Sequence, residues 1–397
     1  MVYLNRLSYR DTWAEISLDH IKNNYLQFRQ FVQPQAKIMA VVKADGYGHG
    51  AYEIAKTAME AGANYLAVAL LDEAIELRMS GITHPILVLG YTPTRSVRAA
   101  IIENISLTVF DHEVLDEIIF QSDRLRKKAI IHLKIDTGMS RIGVSTPNEA
   151  LILAKKASNA AYVYLEGIFT HFANADHENS APTYSQFKKF QAIVEHLESH
   201  YINIPIKHCC NSAATMKFPD MHLDMVRIGV ALYGLYPDVS LKNHSIKLEQ
   251  AMSFKTKIAA IKKVAASQAI SYGWTWKPER ESLIATLPLG YADGLSRLLS
   301  NRGKVLIHGY KSAIAGRVCM DQTMIDITDI QNCSVGDIVT IFGECCSSFQ
   351  PVDEIAHLMG TINYEVVCLI GKRVPRVYDN YSELIKLPGN RQSNLFT

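Results

Sequence analysis

The chain has 397 residues, 48% of them hydrophobic and 20% charged, and its 41 basic side chains against 39 acidic ones leave a formal net charge of +2. This is the composition of an ordinary globular protein long enough for two domains, and its near-neutral balance gives no electrostatic case for nucleic acid or an anionic membrane as partner. Residues 1–11 contain no apolar signal core, no stretch approaches a membrane span, and the seven cysteines lack metal-site spacing, so a cytoplasmic, reduced, metal-free protein is expected.

In chain order, Ser17 is placed to cap a helix that carries Leu18, Ile21, Tyr25, Phe28 and Val32 on one face. The run 38–42 follows, rich in branched residues, ending on Lys43 and breaking into Gly46-Tyr47-Gly48-His49-Gly50. Such a short apolar run bounded by glycine reads as a strand buried on both faces. A helix is expected over 51–60 and another over 73–79. Further strands are expected over 65–69, 86–90, 106–110, 129–135, 162–169, 206–209 and 225–228. Pro182 opens a helix with Phe187, Phe190, Val194 and Leu197 at helical spacing. Eight short strands alternating with helices point to a closed (β/α)8 barrel, with a doubly wound open sheet as the rival. From about residue 249 the helical period fades. Runs at 254–264, 282–289, 304–307, 323–327 and 338–342, punctuated by Gly303, Gly309, Gly316 and Gly336, indicate a small mostly-β domain with a short helix over 355–359 and a late strand over 364–370.

In a barrel the C-terminal strand ends face the catalytic mouth. There the sequence collects Lys43, Asp136 with Arg141 beyond it, His171, Asn211-Ser212 and Arg227-Ile228-Gly229. Lys43 has two readings: a side chain that snorkels to solvent, or a partly dry amine that forms a Schiff base. Gly229-Val230 would expose backbone N–H groups to a phosphate, with the Ser212 hydroxyl beside them. The glycines after Lys43 fail the dinucleotide spacing, and no Walker A, H-E-x-x-H or G-x-S-x-G motif is present. Asp45, Asp72 and Glu73 read as solvated acids at helix starts rather than metal ligands. A strand-end lysine plus a phosphate turn points to pyridoxal phosphate.

Six segments then carry a family resemblance: 41–50 around Lys43, 132–143 ending in Arg141-Ile142-Gly143, 227–234, Ser271-Tyr272-Gly273, Gly290-Tyr291-Ala292-Asp293-Gly294, and Gly316-Arg317-Val318-Cys319-Met320-Asp321-Gln322. From about Tyr9 to Tyr378 the chain resembles the alanine racemases, pyridoxal-phosphate enzymes of the barrel type (fold type III). The resemblance implies an α/β (β/α)8 barrel over 12–248, a C-terminal mostly-β domain over 249–386 with residues 1–11 packed on it, and a polar tail over 387–397. It implies an isomerase that interconverts L- and D-alanine through an external aldimine of pyridoxal 5'-phosphate, for D-alanine supply to peptidoglycan. Lys43 would bind the cofactor and act as one base, with Tyr272 of the partner subunit in a homodimer as the other. Tyr47, His171, Ser212, Arg227, Gly229, Val230 and Tyr364 would surround the cofactor, Arg227 facing its pyridine nitrogen and His171 linking Arg227 to Tyr272. Arg141 and Met320 would bind the substrate, and Tyr291 and Tyr364 would gate a small pocket. Lys134 stands either as a carbamylated lysine that orients Arg141 or as an ordinary lysine. A serine or broad-substrate racemase on the same scaffold is the nearest alternative. A non-catalytic cofactor carrier is the alternative from another class, and the second domain with Tyr272 and Met320 argues against it.

Overall fold

The computed structural model describes residues 8–378, so the N-terminal residues 1–7 and the tail expected at 387–397 lie outside the described residues. The described residues form two compact units, one built on His20–Glu249 and the other on residues 8–19 with 250–378. Strand β1 (Thr12–Ile16), inside the stretch expected to open the barrel, belongs to the sheet of the second unit.

The first unit is a ring of parallel strands: β2 (Lys37–Val41), β3 (Tyr65–Val68), β4 (Ile86–Val88), β5 (Ser106–Val109), β6 (Ala129–Lys134), β7 (Val163–Phe169), β8 (Ile206–His208) and β9 (Met225–Ile228). Their order is β8-β7-β6-β5-β4-β3-β2-β9. The ends meet where Asp224 N donates to Lys207 O at 3.1 Å and Arg227 N donates to Cys210 O at 3.0 Å, so the open-sheet rival is excluded. Every residue of β3, β4, β5 and β9 is buried, because helices cover the outer face while the opposite wall covers the inner one. That double burial is why β3 and β4 read as unbroken apolar runs, while β5 and β9 bury Ser106, Thr108 and Arg227 among their apolar residues. The helix Leu18–Phe31 buries the expected face, and Ala51–Glu60 packs through Ile54, Ala55 and Ala58. Ala181–Ser199 buries Phe187, Phe190 and Leu197, but Ile193 rather than Val194 points inward. Among the described residues no helix is long and apolar enough to cross a membrane.

The second unit is a sheet of order β11-β12-β15-β14-β13-β16-β10-β1-β18, with β17 (Ser348–Gln350) paired to β16. Its members are β10 (Met252–Lys257), β11 (Ala260–Val264), β12 (Ser282–Leu287), β13 (Lys304–Ile307), β14 (Tyr310–Ile314), β15 (Thr323–Asp326), β16 (Ile338–Cys345) and β18 (Arg376–Tyr378). Two expectations are corrected. The run 254–264 is two strands: Ile258 N donates to Asp337 O and Ala259 N to Thr286 O, so the chain changes partner while its alternation continues. The stretch 364–370 is a helix, Asn363–Cys368, because Asn363, Val366, Val367 and Ile370 are the buried positions, a spacing of three, four and seven.

Candidate active site

Lys43 stands two residues beyond β2, half-buried, after Val42 extends the parallel ladder by donating to Ala67 O at 2.8 Å. The next four residues, Ala44, Asp45, Gly46 and Tyr47, take left-handed φ of 52°, 53°, 61° and 51°. L-residues pay roughly 1–2 kcal/mol each for that conformation, so the surroundings must hold it. Glu73 Oε1 accepts from Ala44 N at 2.6 Å, while its Oε2 accepts from Ala69 N at 2.7 Å and Leu70 N at 3.0 Å. Asp45 Oδ1 accepts from Ala51 N at 2.9 Å and starts the following helix. These two acids are therefore structural fasteners of the lysine turn, correcting the expectation that they are merely solvated.

The turn delivers Tyr47 to the end of β9. Its ring lies 4.8 Å from that of Tyr233, whose hydroxyl donates to Val41 O at 2.9 Å, and Lys43 Nζ lies 5.8 Å from the Tyr47 ring centre. Gly229 N donates to Ser212 Oγ at 2.9 Å. A Cβ at Gly229 would sit 2.9 Å from the Tyr47 hydroxyl and 3.9 Å from Ser212 Oγ, so a side chain there would fill this hollow. Ser212 opens the helix Ser212–Lys217, capped by Asn211, and Val230 opens the turn Val230–Tyr233. Two hydroxyls and two helical starts beside a residue without a side chain form a cradle with the polarity an anion needs. Tyr47, Ser212, Gly229 and Val230 thus fit the phosphate end of pyridoxal phosphate.

Arg227, on β9, is buried, and among the described residues no carboxylate pairs with it. Its Nη2 donates to Thr170 O at 2.8 Å, Cys209 O at 3.0 Å and His171 Nδ1 at 3.3 Å, and its Nη1 donates to His208 Nδ1 at 3.0 Å. Burial lowers its pKa to about 10, which leaves it cationic at neutral pH. Burial, followed by the positive charges of Arg227, Lys134, Arg141 and Lys43, holds His171 well below the usual imidazole range. His171 is therefore neutral. Because arginine only donates, His171 Nδ1 is the acceptor and Nε2 carries the proton.

The substrate-arginine loop grows from the end of β6. Asp136 Oδ1 accepts from the backbone N–H groups of Gly138, Met139 and Ser140 at 2.9, 3.0 and 3.1 Å. Val144 N returns to Lys134 O at 3.0 Å, and Gly143, at φ 126°, passes so close to Asp136 N that a Cβ would lie 2.6 Å away. This tight loop presents Arg141 at an exposed position. Lys134 is 4% exposed with Nζ 4.4 Å from the Phe169 ring centre. Burial, then Arg227 and Arg141, push its pKa well below the ordinary lysine value.

The second unit carries the other expected residues. Tyr272 is 70% exposed, on a turn closed by the Ile270–Trp276 bridge and fastened by Ser271 Oγ, which donates to Arg317 O at 2.7 Å. Gly316, at φ 83°, lies so close to Ser271 that a Cβ would be 2.5 Å from that residue's own Cβ. Tyr291 N donates to Cys319 O at 3.0 Å and Ala292 N to Met320 O at 3.1 Å, so the Tyr291 and Met320 turns are laced together. Tyr364 is on the first turn of Asn363–Cys368, and that helix runs into Leu369 and Ile370 beside Gly294.

Within the barrel the structure gathers Lys43, Tyr47, Lys134, Arg141, His171, Ser212, Arg227, Gly229 and Val230 at the C-terminal strand ends, and within the second unit Tyr272, Tyr291 and Met320 lie on turns joined through Arg317–Met320, with Tyr364 on the helix Asn363–Cys368. Sequence reasoning missed Gln186. Its Oε1 accepts from Ala173 N at 2.9 Å, and its Nε2 donates to Thr137 Oγ1 at 3.1 Å and His171 O at 3.3 Å, tying the Arg141 loop to His171. The signal was a glutamine among the apolar positions of a helix. It also missed the buried pair His132 and His208, imidazoles on β6 and β8.

The model of the alanine racemase N-terminal domain matches residues 16–237, and that of the C-terminal domain matches residues 251–378. Alanine racemase 2 of Oceanobacillus iheyensis is 55% identical over 384 residues, 96% of this chain and 97% of the relative. The structure of alanine racemase from Clostridium difficile 630 superposes with a TM-score of 0.90 at 43% identity, covering 93% of this chain and 96% of that one. That of Bacillus anthracis alanine racemase with bound L-Ala-P gives 0.89 at 41% identity, covering 93% and 95%. The barrel, the second sheet and these matches agree: the chain belongs to the alanine racemase family.

Proposed function

We propose that the chain interconverts L- and D-alanine by a two-base proton exchange, with Lys43 and Tyr272 as the bases. The observation that carries the reading is the convergence on His171 of the charges of Lys43, Lys134, Arg141 and Arg227 beside the Tyr47–Ser212–Gly229 cradle. The family is pyridoxal-phosphate-dependent, and that cofactor, when bound, supplies the electron sink that makes an amino-acid α-proton removable. Lys43 would hold its aldehyde carbon, and Arg227 would meet its ring nitrogen. Ser212, Gly229, Val230, Tyr47 and Tyr364 would hold its phosphate.

Racemisation requires a proton to leave one face of a planar carbon and another to arrive on the opposite face, so two bases on opposite sides meet the need directly. Lys43 takes or returns the proton of D-alanine, and Tyr272 that of L-alanine. A free phenol, with a pKa of about 10, is a poor base near neutrality. The Nε2–H of neutral His171, set by Arg227, is the donor that would stabilise a phenolate at Tyr272. Arg141 offers its two-pronged guanidinium to the substrate carboxylate, Met320 offers a backbone N–H, and Tyr291 with Tyr364 keeps the pocket narrow enough to favour alanine. Tyr272 comes from the partner subunit of a homodimer. The enzyme works in the cytoplasm, and its D-alanine supplies peptidoglycan.

The test is conversion of L-alanine to D-alanine by the purified protein, with L-serine run alongside. Tyr272→Phe is expected to abolish racemisation while retaining the visible absorption of the lysine-bound cofactor. Loss of that absorption would contradict the role given to Tyr272, and comparable serine turnover would make the enzyme a broad-substrate racemase.

A further inference from the structure

His132 on β6 and His208 on β8 are fully buried in the barrel wall, with β7 between them. They touch, His132 Nδ1 to His208 Nε2 at 3.0 Å, because β7 has no side chain at the point of contact. The residue in register with His132 is Gly167, where a Cβ would lie 2.1 Å from His132 Nδ1. A glycine inside a strand weakens it and marks a close approach; here the approach is of one imidazole to another.

The pair is a segment of a longer chain. At one end Arg227 Nη1 donates to His208 Nδ1 at 3.0 Å. At the other, His132 Nε2 lies 3.2 Å from Glu166 Oε2, which also accepts from the Tyr65 hydroxyl. Arginine has donors only, and an ionised carboxylate has acceptors only. The protons between them therefore have one consistent arrangement. His208 accepts at Nδ1 and donates from Nε2, and His132 does the same, ending on the carboxylate. A proton added to His208 would set an N–H against the guanidinium N–H, and one added to His132 at Nδ1 would set two donors face to face.

We infer that Glu166 is a positioning residue for racemisation: through His132 and His208, each held as the neutral Nε2–H tautomer, it anchors Arg227 in charge and orientation at the site. This deepens the reading of Arg227 as partner of the cofactor's ring nitrogen and rests on it. Burial drives both imidazoles toward the neutral form. Burial raises the Glu166 pKa, but the bonds from His132 and Tyr65 outweigh it and keep the carboxylate ionised. The groups that face Glu166 are His132, Tyr65 and the more distant Lys37; those that face Arg227 are His171, His208, Lys134 and the thiols of Cys209 and Cys210.

The experiment compares the wild-type holoenzyme with Glu166→Gln and Gly167→Ala. Glutamine keeps the shape and an acceptor oxygen but removes the charge. Its kcat for alanine is expected to fall roughly tenfold, the scale of one charge-assisted hydrogen bond, with KM little changed. The pH profile should shift to lower pH, because losing a buried negative charge disfavours the protonated form of nearby bases. A uniform fall with no pH shift, or no change at all, would overturn the inference. Independently, imidazole nitrogen-15 spectra of the wild type should show both His132 and His208 neutral with the proton on Nε2, assigned with His132→Asn and His208→Asn. An Nδ1–H form or an imidazolium at either ring would refute it. Gly167→Ala should scramble the tautomers, and if it fails to fold, Glu166→Gln decides. A wild type that does not racemise alanine refutes the proposed function, while the tautomer result still reports on the relay.

Discussion

Lys134 and Arg227 both carry a cationic group into the barrel interior, and they answer burial differently. Arg227, at about 10, stays charged at neutral pH, its protons spent on two carbonyls and two imidazoles. Lys134 is pushed well down by burial and by the charges of Arg227 and Arg141, which favours its neutral amine. A neutral buried amine can add carbon dioxide, forming an N–C bond and releasing a proton to give a carbamate. That anion would offset the two arginines and hold Arg141 for the substrate carboxylate. Lys134→Gln is therefore expected to lower kcat/KM for alanine about tenfold, again one charge-assisted bond. Depleting bicarbonate should slow the wild type but leave the variant unaffected. A carbamate signal in carbon-13 spectra after growth in labelled bicarbonate checks the assignment, and activity indifferent to bicarbonate would leave Lys134 an ordinary lysine.

At the scale of elements, the lysine turn shows what a motif does not tell. The motif 41–50 marked Lys43, but four consecutive left-handed residues appear only once the chain is built, and their fastener, Glu73, comes from a different βα unit. Glu73→Ala removes the acceptor for three backbone N–H groups. It should cost about 1.5–3 kcal/mol, the worth of hydrogen bonds to a charged group, and weaken cofactor retention, while Asp72→Ala at the exposed neighbour should do neither; thermal unfolding and cofactor titration measure both. The barrel strands were legible because burial on both faces leaves short, mostly apolar runs. In the second unit, strand and helix have similar short apolar runs, so the 254–264 run concealed a change of partner and 364–370 concealed a helix. The His132–His208 contact was not legible. It depends on two strands flanking a third and on a missing Cβ at Gly167, which only the sheet order brings together.

At the scale of the molecule, the second unit organises its turns around a buried acid. Asp293 Oδ1 accepts from Arg10 at 2.5 Å and Arg373 at 2.6 Å, its Oδ2 accepts from Gly290 N at 2.9 Å, and Arg373 also reaches Asp321 at 2.6 Å. One carboxylate thus fixes the Tyr291 turn, and one arginine joins it to the residue after Met320. Burial raises the Asp293 pKa, but the bonds from Arg10, Arg373 and Gly290 outweigh it, and the net shift is downward. Its stabilisation is therefore full above the unfolded carboxyl pKa, about 4, and is lost as pH falls through the folded value. Asp293→Asn should cost about 2 kcal/mol near neutrality, below the usual figure for a buried pair because both arginines are partly exposed, and should flatten the acid limb of a urea-midpoint profile against pH.

The second unit presents Tyr272, 70% exposed, with Trp274, 74% exposed, two residues on, and Met320 and Tyr291 are also exposed. Exposed aromatic and methionine side chains are what the core of a protein–protein interface is enriched in, which supports placing Tyr272 in a partner's site. The consequence is a complementation test. Lys43→Ala and Tyr272→Phe should each be inactive alone. When the two chains are mixed through dissociation or co-expression, about half the dimers are mixed, and each holds one site with both bases intact and one with neither. Activity should return to about a quarter of the wild-type value. If instead each site draws both bases from its own chain, every site in the mixture lacks one of them, and no activity returns. Recovery therefore distinguishes a shared site from a self-contained one without any knowledge of rate constants, and a silent mixture in which mixed dimers are demonstrated by mass would refute the shared site while leaving the barrel chemistry untouched.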